Sequence, residues 1–146
     1  MLDVRKVAQW FVLRAAEDVN KGGEYLTQLK LQKLLYYAQG FYMAFNGEKL
    51  YSNKIVHMQY GPVVQSMATT LKSFGSDPIK TLDIPVGELS DDVTSTLSLV
   101  YEKLGQYSAY KLVELTHNED PWKNTNSGDE IKVELISKYF KENYIR

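Results

Sequence analysis

The chain has no cysteine, which excludes disulfides, thiol nucleophiles and thiolate metal sites. Histidine is scarce, with only His57 and His117. Charge of one sign is missing too: 17 basic against 18 acidic residues leave a net charge of −1. Affinity for a phosphate backbone comes from clustered Lys and Arg, so this balance argues against a general nucleic-acid binder. No run reaches the roughly 18 uninterrupted apolar residues that span a bilayer. The opening MLDVRKVAQW lacks the basic leader and continuous apolar stretch of a signal peptide. A cytoplasmic protein without membrane contact is therefore expected. Gly-x-Ser-x-Gly is absent, and Gly22-Gly23 follows a helix instead of a strand, the wrong context for a phosphate loop. No cofactor is implied.

Tyrosine, in contrast, is abundant, with 11 of the 18 aromatic residues. It suits wet-edged cores and interfaces alike. The most informative stretch is residues 27–67. Leu31, Leu34, Leu35, Ala38, Phe41, Tyr42 and Phe45 recur at helical spacing, and Tyr36, Tyr37 and Met43 cover much of the remaining surface. A helix apolar nearly all round needs partners on several sides, so it should be the central strut. Thr27 is placed to cap it and Gly47 to end it in a left-handed turn.

Around that strut the pattern predicts one mainly α domain over residues 1–146, a compact bundle of about six helices with a small two- to three-stranded β element near residues 49–60. The first helix runs from about Asp3 to Asn20. Lys49–Tyr51 and Lys54–Gln59 read as two short strands. Gly61-Pro62 then reads as a helix start, because proline at the first helical position loses no hydrogen bond. Further helices begin at Ser90 and Ser108, Asp120 caps a turn through Pro121-Trp122, and Asp129 caps the last helix.

Few residues suggest chemistry. His57 in a strand has no accompanying acid or nucleophile pattern. His117, Glu119 and Asp120 could be imagined as a cation site for metal-assisted hydrolysis, yet their spacing matches neither a His-Glu-x-x-His helix nor a Ca²⁺ loop, and a helix C-terminus accounts for the histidine. Lys30 and Lys33, one turn apart, could meet phosphate or an acidic partner, or form a solvated rim.

The series Lys30-Leu31-Gln32-Lys33-Leu34-Leu35-Tyr36-Tyr37-Ala38-Gln39-Gly40, then Tyr60-Gly61-Pro62-Val63, then Leu112-x-x-Leu115-Thr116-His117 with Pro121-Trp122, resembles the Panacea domain, a family that includes SocA-like antitoxins and phage-associated proteins. The resemblance implies a non-enzymatic antitoxin of a toxin–antitoxin pair. It would neutralise a cognate protein toxin, encoded beside it, by direct binding. One SocA-like member also acts as a proteolytic adaptor that hands its toxin to a AAA+ protease. No appended DNA-binding module is expected, which disfavours a self-regulating repressor. The aromatic and charged positions Lys30, Lys33, Tyr36, Tyr60 and Trp122 are the expected partner contacts. Leu34, Gly47, Gly61, Pro62, His117, Asp120 and Pro121 are the expected scaffold. A second reading is a phage-associated nucleic-acid-binding regulator acting through Arg5, Lys6, Lys30 and Lys33.

Overall fold

A computed structural model describes residues 1–145. Helix α1 (Val4–Asp18) begins where the Asp3 carboxylate accepts the Arg5 amide at 2.9 Å, and it turns Val7, Ala8, Phe11, Val12 and Ala15 inward. Helix α2 (Gln28–Asn46) is the strut of the molecule. Its thirteen consecutive residues from Leu31 to Met43 are all buried, because α2 is surrounded by α1, a β hairpin and the helices that follow. Gly47 closes it in a left-handed conformation, φ 73°, that a side chain would strain. Thr27 stands at the cap position but makes no side-chain cap bond. Phe45 lies beyond the enclosed stretch and is half exposed.

The β element sits later in the chain than the pattern suggested. Strands β1 (Ile55–Met58) and β2 (Gly61–Val64) pair antiparallel across the Gln59-Tyr60 turn, with Val56 opposite Val63 and His57 opposite Pro62. Lys49–Tyr51 is not a strand. Only Tyr51 bridges to Leu2, and the Gln39 side chain holds this loop by accepting the Leu50 amide at 2.8 Å and donating to the Tyr51 carbonyl at 2.7 Å. Pro62 does not start a helix either. It lies in β2, and α3 (Gln65–Leu71) begins three residues later.

Residues 76–90 are mostly irregular, joined to the body by the Ile79 amide on the Leu26 carbonyl and by Gln9, which bonds Thr81, Leu82 and Ile84. Helices α4 (Asp91–Leu104) and α5 (Ala109–His117) start at the anticipated Ser90 and Ser108, whose hydroxyls accept the Val93 and Lys111 amides. The short α6 (Asp120–Lys123) has Glu119, not Asp120, at its cap position. Helix α7 (Val133–Asn143) starts after Lys132, four residues beyond Asp129. The segment before it is used otherwise: Gly128, Asp129 and Ile131 exchange backbone hydrogen bonds with His57 and Ile55, covering the free edge of β1. Tertiary pairing overrides the capping signal there. Among the described residues no helix is long and apolar enough to cross a membrane.

Candidate binding site

The three motifs meet on one side of α2. The outer edge of β2 offers the Val64 amide and carbonyl and the Pro62 carbonyl, while Pro62 has no N–H to offer. Two consecutive side chains of α2 satisfy them. Gln32 accepts the Val64 amide at 2.8 Å and donates to the Val64 carbonyl at 3.2 Å, imitating a neighbouring strand. The Lys33 amine donates to the Pro62 carbonyl at 3.1 Å. Proline thus occupies the strand position where a missing donor does no harm. Gly61, at φ 111°, packs against Lys33 and Thr116: a Cβ there would come within 2.7 Å of Thr116 Oγ1 and 2.8 Å of Lys33 Cε. The Leu-Gln-Lys, Gly-Pro and Leu-Thr elements of the motifs are one packed unit.

Lys33 is 0% exposed, which corrects the expectation of a solvated rim. Burial lowers its pKa to about 7. Among the described residues no carboxylate pairs with it. Lys30, half-buried, donates to the Gly105 carbonyl at the end of α4, and burial depresses its pKa also. Arg5 is engaged with Asp3. Arg5, Lys30 and Lys33 are thus paired with Asp3, bonded to Gly105 and buried, respectively, and these three do not make the shared cationic face that the nucleic-acid reading requires.

Tyr36 is equally interior. It and Tyr37 donate to the two oxygens of Glu119, each at 3.0 Å, and Tyr144 donates to the same carboxylate. Burial pushes the Glu119 pKa upward against these three hydroxyl donors, and it raises the tyrosines well above their ordinary value. Glu119 is only 3% exposed. Its side chain is withdrawn from the α6 cap to join α2, α6 and the end of α7, a role with no local sequence signal beyond an acid beside Asp120-Pro121.

Trp122 is clamped between the two histidines. His57 and His117 stack on its opposite faces with centroids 4.0 Å away on each side, and its indole N–H donates to the Met58 carbonyl at 2.9 Å. His57 Nδ1 lies 2.8 Å from the Trp122 carbonyl and His117 Nε2 3.1 Å from the Gln59 carbonyl. The stack pins the hairpin turn to α5 and α6. His117 and Glu119 are thus engaged elsewhere, and among the described residues no group of three His, Asp or Glu is placed to hold a metal ion. Asp120 lies only at the edge of ion-pair range of Lys123. Pro121 and Leu34 are buried.

Of the expected contact residues, Tyr60 stands furthest into solvent, 53% exposed at the hairpin tip. It lines a groove of about 690 Å³ between α2, the hairpin and the start of α5. Two further residues of that groove, Met58 at 47% and Tyr110 at 75% exposed, were not singled out from the sequence. Tyr110 sits just inside α5, outside the buried set of Leu112, Val113 and Thr116; an exposed-face tyrosine near a helix start was the available signal.

The fold and this site define a mainly α protein built on an enclosed central helix, with its motif residues turned inward and an aromatic groove left open. The profile of the family described as "Antitoxin SocA-like, Panacea domain" matches residues 31–123, more than half of the chain, and the chain belongs to that family. No curated protein and no solved structure matches it.

Proposed function

We propose that this protein is a non-enzymatic cytoplasmic antitoxin that neutralises a cognate protein toxin, the product of an adjacent gene, by binding it directly. The family match over residues 31–123 carries this reading, since it takes in the three motifs apart from Lys30. The surface is compatible with it. Met58, Tyr60 and Tyr110 are exposed together around one groove, and tyrosine and methionine are enriched in protein interfaces. Trp122 supports the hairpin tip from below, and Lys30 stands apart by Gly105. Lys33 and Tyr36 take part as buried scaffold.

The test is co-expression with the neighbouring small open reading frame. Its product alone should arrest growth, and this protein should restore growth and co-purify with it. Arrest that persists, or a neighbour harmless by itself, overturns the reading. Delivery of the toxin to a AAA+ protease is a further part of it. In that case toxin half-life falls only when this protein and the protease are both present.

A further inference from the structure

We propose that Glu119 and Tyr144 form a proton-sensitive latch: the turn that ends α7 is held while Glu119 is ionised and loosens when Glu119 takes up a proton. The latch is a property of the fold and is independent of the antitoxin reading.

The Glu119 carboxylate stands where α2, α6 and the end of α7 meet. Its Oε1 accepts the Tyr36 phenol, and its Oε2 accepts those of Tyr37 and Tyr144. Tyr139 on α7 and Asp120, next in the chain, are the other titratable groups on this side, and His117 is turned onto Trp122. Among the described residues no Lys, Arg or His lies in ion-pair range of its oxygens.

An ionised carboxyl only accepts, so three donors suit it. A protonated one must place its own O–H. One phenol then has to accept that proton and turn its own elsewhere. Tyr36 and Tyr37 are 0% exposed and find no second acceptor among the described residues, and a buried donor without an acceptor is costly. Tyr144 is 37% exposed and can turn its proton to water. Protonation of Glu119 therefore falls on the Tyr144 contact, which changes from a charge-assisted bond to a neutral one of about half the strength. Linkage leads to the same place. Burial raises the Glu119 pKa, and the phenols, Tyr144 foremost, pull it back. A contact that favours the carboxylate is itself favoured by ionisation, to the same extent.

What the latch holds down is apolar. The Tyr144 ring lies 5.0 Å from those of Phe41 and Phe140. Together with Ile145 it walls a cleft of about 460 Å³ whose other sides include Phe41, Phe45, Leu99 and Leu104. The Tyr144 and Ile145 amides both donate to the Phe140 carbonyl. Loosening the turn frees these two amides and opens the cleft toward Phe140.

Two measurements decide the proposal. Protein labelled with ¹³C at its glutamate carboxyls is titrated by NMR, the Glu119 signal being assigned by its absence in Glu119→Gln. In wild type the midpoint should lie above the ordinary glutamate value, and in Tyr144→Phe about one pH unit higher still, a tenfold loss of preference for the ionised form. Amide hydrogen exchange is then read on both sides of the midpoint and corrected for the intrinsic effect of pH. Below it, protection at residues 144 and 145 should fall about tenfold while the middle of α2 keeps its own. In Tyr144→Phe, a change at a part-exposed position, those two amides should be weakly protected at both pH values. Protection unchanged across the midpoint, an unmoved midpoint in Tyr144→Phe, or a Glu119 that stays ionised until the protein unfolds overturns the latch. A loss of protection shared by α2 is global unfolding and overturns it equally.

Discussion

Lys33 presents the sharpest physical question at the scale of single residues. An amine with its pKa lowered to about 7 is disfavoured in its charged form by the fold. In the unfolded chain the same amine titrates near 10.5. Below about pH 7 both states hold the proton and the folded one bears the full desolvation penalty. Between about 7 and 10.5 the unfolded state binds more protons, so this group makes stability rise with pH. Glu119 works in the opposite sense at lower pH, since its raised folded pKa favours the protonated fold and that advantage is lost as pH rises through it. Comparing wild type with Lys33→Met isolates the lysine because both carry Glu119. Urea unfolding near pH 7 and near pH 9 should show wild type gaining on Lys33→Met as pH increases, by an amount on the order of 1–3 kcal/mol. A constant difference between the two proteins would mean that Lys33 is solvated.

At the scale of elements, the contact of α2 with α7 turns on an absence. A Cβ on Gly40 would lie 2.4 Å from the ring of Phe140, so the two helices approach through a missing side chain. Phe140 also packs edge-on to Tyr36, Tyr37 and Phe41, which leaves its ring little room to retreat. Alanine is the better helix former by about 1 kcal/mol. Even so, Gly40→Ala should lower stability by about 1–3 kcal/mol, as overpacking does. Denaturant midpoints check this, and a stabilised variant would show that α7 can shift freely. The element boundaries teach the same lesson. Asp3, Ser90 and Ser108 start their helices, and Gly47 ends its own, where local capping chemistry predicts, because the groups involved are within a few residues. Pro62 and Asp129 are good helix-start signals that sit in or against strands, because distant partners claimed them first: Lys33 takes the Pro62 carbonyl, and His57 the Asp129 carbonyl.

For the whole molecule, the central strut is the controlling feature. Leu34 is fully buried in a core that draws on α1, α2, α4, α5 and α7. Leu34→Asp should therefore abolish folding, since an unpaired buried carboxylate costs several kcal/mol against a total stability of about 5–15. Circular dichroism and proteolysis would read the loss, and a folded, protease-resistant variant would remove α2 from the centre.

The sequence by itself determined the mainly helical class, the all-round apolar character of α2 and the family motifs, because these rest on periodicity and residue order along a continuous stretch. It could not assign the charged and tyrosine positions of the motif correctly. Lys33 looked like a rim and Glu119 gave no sign of burial, since charge by itself predicts exposure. Only the tertiary structure decided otherwise. It brought the Pro62 carbonyl to Lys33, three phenols to Glu119, and Met58, Tyr60 and Tyr110 to one groove. A buried polar group is tolerated only where partners distant along the chain satisfy it, and no local pattern encodes that meeting.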